Sequence, residues 1–165
     1  MELARFWRHV RMNPIAVARC FPPATLDAIQ REIAAQEATH RGEICFVVEA
    51  ELTSGQLWQG VTPRERARQV FASQGVWNTE ENNGVLVYVL LADRAVEIVA
   101  DRGIDAHFSP ENWQAICREM EARFAQGRFE DGAIAGIRTI AQAMSRHFPG
   151  DGERRNELPD RPVMM

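Results

Sequence analysis

The chain has no lysine. All nineteen of its cationic residues are arginine, in a sequence of 165 residues, which removes Schiff-base chemistry, a pyridoxal-phosphate lysine, a lysine general base and the nucleotide-binding loop G-x-x-x-x-G-K. Cysteine is sparse: Cys20, Cys45 and Cys117 are far apart with no C-x-x-C. Neither a disulfide framework nor a zinc knuckle is expected, and a reducing compartment fits. His9, His40, His107 and His147 show no H-x-x-x-H spacing, so zinc is not expected either. Long apolar runs are also missing. The longest, Val85 to Ala92, falls far short of the ~20 residues that cross a bilayer. The amino terminus, interrupted by Arg5, Arg8, Arg11 and Arg19, holds no apolar stretch of signal-peptide length, so the expected location is the cytoplasm. A formal charge of −4 provides no basic field for nucleic acid.

With 45% apolar and 25% charged residues, the composition is that of one soluble globular domain. Residues 1–21 read as a basic arm, in which Leu3, Phe6, Trp7 and Val10 share a helical face suited to a membrane or partner surface. Residues 22–148 carry the domain. A first core helix opens at the capping candidate Thr25 and places Leu26, Ile29 and Ile33 at helical spacing. Glu43 to Glu51 alternates as a strand, 52–61 reads as a loop, and Thr62, Pro63 and Glu65 form a capping box for the next helix. Val85 to Leu91 reads as a strand covered on both faces, turning at Asp93-Arg94 into a second strand, Ala95 to Ala100. Two apolar-striped helices follow, one begun by Ser109-Pro110 and ended by Gly127, the other stopped by Pro149. Residues 149–165 form a polar, proline-rich tail, either disordered or laid over the body. The element order gives an α/β fold with a small mixed sheet between helices: a parallel βαβ crossover plus a hairpin.

A two-residue turn at Asp93-Arg94 sets Val87 opposite Ala100, Leu86 opposite Asp101 and Gly84 opposite Gly103. Glu43, the 80–84 loop and the 101–105 segment would then meet at one sheet edge. Glu43, Glu81, Asn82, Asn83 and Asp101 make an oxygen-rich ligand set suited to Ca²⁺ or Mg²⁺, with Arg102 placed to hold a phosphate. The opposite edge, with Glu49, Glu51, 53–55 and the Asp93-Arg94 turn, is the usual ligand side of open α/β sheets but has fewer convergent acids.

On Gly42-Glu43-Ile44, Asn83-Gly84-Val85-Leu86, Asp101-Arg102-Gly103-Ile104 and the helix positions Phe124, Gly127, Phe129, Gly132 and Gly136, the chain resembles the TPM domain family over about residues 22–148. The tail Asn156-Glu157-Leu158-Pro159-Asp160 resembles that of a short bacterial branch. The resemblance implies a three-layer α/β/α sandwich and, as proposed for some members, divalent-cation binding with acid-phosphatase activity. Asn82 stands where the family often has an acidic residue. Other members resemble interaction or assembly modules. That alternative gives this chain a protein partner or a peripheral membrane contact, docked through the edge loops, the basic arm, the NELPD tail or the loop tryptophans Trp58 and Trp77.

Overall fold

The computed structural model describes residues 3–150 and 156–165; the first two residues of the arm and 151–155 of the tail lie outside the described residues. Two short helices, α1 (Leu3–Val10) and α2 (Pro14–Cys20), precede the first core helix, α3 (Pro23–Glu37). That helix begins two residues before Thr25, because Pro23 is already set at helical φ. The Thr25 hydroxyl instead donates to Glu130 at 2.9 Å. Strand β1 (Glu43–Glu49) follows, then α4 (Ser54–Trp58) and α5 (Pro63–Ser73). Helix α4 falls in the expected loop, closed by a capping box between Thr53 and Gln56, and it buries Leu57. The expected Thr62–Glu65 box caps α5.

Next come β2 (Gly84–Leu90), β3 (Ala95–Ala100), the four-residue α6 (Arg102–Asp105), α7 (Pro110–Ala125), α8 (Phe129–His147) and a last strand, β4 (Val163–Met164). The sheet order is β3-β2-β1-β4. Strands β1 and β2 run parallel, from Glu43 beside Gly84 to Glu49 beside Leu90, while β3 returns antiparallel. Every residue of β1 and β2 is buried, as expected for strands covered on both faces. Ile44, Phe46, Val85 and Val87 pack with α3, α7 and α8. Cys45, Val47, Leu86 and Tyr88 pack with α4, α5 and Leu158 of the tail. The result is an α/β/α sandwich. No helix among the described residues is long and apolar enough to cross a membrane.

The hairpin register differs from the expected one by two residues. Val85 pairs with Ala100 and Leu90 with Ala95, so the turn is Leu91–Arg94, closed by the Arg94 amide on the Leu91 carbonyl at 3.0 Å. The reason lies in β1: the Leu91 and Ala92 amides remain bonded to the Glu49 and Ala50 carbonyls at 3.0 and 3.1 Å, and β2 therefore parts from β3 early. A slip of two keeps each side chain on its intended face.

The tail is a strap. Val163 and Met164 add in parallel beside Val47 and Val48, and Leu158 is buried. Within NELPD, the Asn156 amide donates to Asp160 at 2.9 Å, and the Glu157 carboxylate accepts from the Glu80 amide at 3.0 Å.

Helix α1 lies across the carboxyl ends of the strands. Arg5 grips Asp93 at 2.7–3.1 Å and reaches the Val61 carbonyl at 2.8 Å. His9 Nδ1 accepts from the Leu52 amide at 2.9 Å while Nε2 stands 3.1 Å from Asp93. Leu3, Trp7 and Val10 do share an outward face, but Phe6 turns inward onto the Tyr88 side of the core.

Candidate functional site at the amino ends of the parallel strands

Backbone hydrogen bonds draw the 79–84 loop, the start of β1 and the 101–104 corner together. The Glu43 amide donates to the Asn83 carbonyl at 3.2 Å, the Asp101 amide to the Gly84 carbonyl at 2.8 Å, and the Gly103 amide to the Asn82 carbonyl at 3.0 Å. Two glycines make this approach possible. A Cβ on Gly84 would stand 2.1 Å from the Val76 carbonyl oxygen, and one on Gly103 would stand 2.5 Å from that of Asn82. Their absent side chains are filled by backbone, not left open for a phosphate. Asn82 takes the left-handed φ of 52°, which asparagine tolerates better than most residues.

The side chains of the expected ligand set part company here. Asn83, only 1% exposed, donates through Nδ2 to the Arg41 carbonyl at 2.7 Å, and its Oδ1 is buried with no hydrogen-bond donor among the described residues. Asp101 caps α6: Oδ1 accepts from the Arg102 amide at 2.7 Å, while Oδ2 is likewise buried without a donor. Asn82 Oδ1 accepts from Arg102 Nε at 3.2 Å. Glu81 stands on the exposed rim, paired with Arg41 at 3.1 Å. Glu43 reaches the corner by its backbone amide. Its buried carboxylate accepts from the Leu158 amide at 3.1 Å on the α4–α5 side of the sheet, where it anchors the tail.

Arg102 is exposed, and its terminal guanidinium nitrogens extend beyond the bond to Asn82. The amides around it are spent, however, since those of Arg102, Gly103 and Ile104 donate to Asp101 Oδ1, the Asn82 carbonyl and the Asp101 carbonyl. An anion at this corner would be held by the side chain alone. Among the described residues no group of three or more His, Cys, Asp or Glu side chains is gathered as for a metal ion. The oxygens here come from one carboxylate and from amides, a set that matches Ca²⁺ or Mg²⁺ in kind.

At the carboxyl edge the chain occupies itself. Glu49 is gripped by Arg66 through Nε at 2.9 Å and Nη2 at 2.7 Å and also accepts the Tyr88 hydroxyl. Burial, then the hydrogen bond to Glu49 and the Glu49 charge, pushes the Tyr88 phenol far above its ordinary range, and the hydrogen bonds that Arg66 donates to Glu49 push its guanidinium up. Asp93, at the same edge, is saturated by α1. Arg66 and Tyr88 are absent from the sequence reading; the available signal was the chain's one tyrosine set inside an apolar strand, where its hydroxyl must find a partner. Cys45 and Cys117 are buried, and burial pushes their thiols up to about 11 and about 12, away from the thiolate form that reacts.

A sequence model of the TPM domain matches residues 16–143. The chain belongs to the TPM domain family. Its fold is similar to that of the BA42 protein from the psychrophilic bacterium Bizionia argentinensis, at 28% identity and a TM-score of 0.75 over 86% of this chain and 93% of that one. It also resembles the N-terminal domain of a protein from P. gingivalis, at 18% identity and a TM-score of 0.61 over 76% and 77% of the two chains. The N-terminal domain of the cg2496 protein of Corynebacterium glutamicum gives 17%, a TM-score of 0.53, and coverage of 74% and 73%. No curated protein matches. Helix α1 and strand β4 lie outside the matched stretch of the TPM domain.

Proposed function

We propose that this TPM domain binds Ca²⁺ or Mg²⁺ weakly at the amino-edge corner, with Asp101 Oδ2 and Asn83 Oδ1 as ligand oxygens and Arg102 holding a phosphoryl group beside the ion, in the cytoplasm. The observation that carries this reading is the pair of buried side-chain oxygens, without donors among the described residues, in one hydrogen-bonded corner. A buried acceptor left unpaired costs about 1–3 kcal/mol, a cost that a hard cation removes. Asn82 orients Arg102, and Glu81 adds negative charge at the rim. A bound cation would polarise a phosphoryl oxygen. With one carboxylate, affinity belongs in the roughly 0.1–1 mM range of weak Ca²⁺ sites.

The test is thermal melting of chelator-treated protein against each cation, together with hydrolysis of p-nitrophenyl phosphate. At tenfold excess over Kd, binding adds about 1.4 kcal/mol and raises Tm by several degrees. Asp101→Asn, which still caps α6, abolishes the rise, and Arg102→Ala abolishes cation-dependent hydrolysis while sparing the rise. An unchanged Tm at about 10 mM of either cation, well above that affinity range, contradicts the proposal.

A second reading, a non-catalytic docking module, is favoured by Trp58, 78% exposed, and Trp77, 55% exposed. As interface residues they are replaceable by Ser without loss of Tm, whereas lids over the core would lower it.

A further inference from the structure

Helix α1 is amphipathic in the inverted sense. Its charged and polar residues Arg5 and His9 face the body and are bonded to Asp93, Val61 and Leu52, while Leu3, Trp7 and Val10 stand 70%, 53% and 51% exposed. The three recur at i, i+4 and i+7, one stripe on the outer surface. Ile15, 66% exposed, carries the apolar surface into α2. The linker and α2 also wall an apolar cleft of about 490 Å³ lined by Met12, Val17, Leu26 and Met164. A stripe of this kind, held rigid by a buried clasp, gains nothing from facing water.

We propose that the α1–α2 arm docks the protein on an anionic lipid surface. Charge selects this occupant. Of the four arginines in the first 26 residues, which hold the single acid Glu2, Arg5 and Arg8 are paired with Asp93, so the outward charge rests on Arg11 and Arg19. Arg11 and Arg19 are exposed, with no partner among the described residues. Pairing two copies arm to arm would set cation against cation, whereas an anionic bilayer meets the arginines with headgroups and the stripe with its acyl boundary. Trp7 suits the interfacial depth, having an apolar ring and one polar N–H. The seven-residue parallel strands run from Glu43–Gly84 to Glu49–Leu90, about 20 Å at 3.3 Å per residue. Docking by the arm at their carboxyl ends therefore turns the Asp101 corner away from the lipid.

The inference is tested by co-sedimentation of the full chain, in chelator, with vesicles of phosphatidylglycerol and phosphatidylcholine or of phosphatidylcholine alone. Binding is expected on the mixed vesicles, weaker on the neutral ones, and reduced as salt rises from about 0.1 M to about 0.5 M. The triple change Leu3→Ser, Trp7→Ser and Val10→Ser removes the outward stripe and the Trp7 edge contact with Phe6, keeps the Arg5–His9–Asp93 clasp and cooperative melting, and lowers binding at least tenfold. Arg11→Gln with Arg19→Gln lowers it about fivefold per arginine, and Asp101→Asn leaves it unchanged. The proposal is overturned by an absence of binding to anionic vesicles at millimolar lipid, by a triple variant that binds as well as the parent, or by a parent dimer that the triple change splits to monomers.

Discussion

Glu49 and Arg66 are nearly removed from water and satisfy each other, with Tyr88 completing the carboxylate's bonds. Breaking such a pair strands a charge, so Arg66→Ala is expected to cost about 3–5 kcal/mol in urea unfolding. Asp93 behaves differently because it ties two elements together. Burial opposes its charge, but hydrogen bonds from Arg5 and His9 outweigh burial and hold the carboxyl below its ordinary value of 3.8. A depressed carboxyl contributes stability fully above its unfolded value and loses it as pH falls through the folded one. The α1 amides should therefore lose hydrogen-exchange protection below pH 3.8, and Asp93→Asn should abolish that acid step. Gly103→Ala forces backbone against the Asn82 and Glu81 carbonyls and is expected to cost about 1–3 kcal/mol in the same unfolding assay. Single residues were legible where one chemistry governs them, as at the Thr62 and Ser109 caps. Glu43 was not: alternation gives a strand carboxylate its face, but the Leu158 amide that meets it comes from 115 residues away.

At the scale of elements, periodicity revealed the long helices and the three central strands, because each buries a repeating apolar stripe. The hairpin turn was placed two residues short because its length depends on what β1 offers beyond Glu49, which no local pattern contains. Helix α4 was readable in principle, since Thr53 and Gln56 have capping-box spacing; its Gly55 and short length hid it. The tail strand is carried by two residues of β4 and by Leu158, too few for any period to register. Removing 156–165 uncovers the open edge of β1 and leaves Glu43 without the Leu158 amide. The truncated chain is expected to melt lower and to self-associate in sedimentation; unchanged melting would show that the strap adds nothing to the fold.

Across the whole molecule the sheet has two unlike ends. Its carboxyl end, where ligands of open α/β sheets usually gather, is closed by the chain's own arm, with Asp93 and Glu49 both saturated. Its amino end keeps two buried oxygens, without donors among the described residues, beside an exposed arginine. Sequence pattern located this corner because two glycine-bearing loops had to meet once the strands paired; it missed that the same glycines are filled by backbone and that Glu43 serves the tail. The most direct measurement is a Ca²⁺ titration of ¹⁵N-labelled, chelator-treated protein followed by amide chemical shifts. The account predicts saturable shifts confined to residues 81–84 and 101–104, with a midpoint of about 0.1–1 mM. Shifts centred on the Glu49–Asp93 end, or none at all at that concentration, would contradict it.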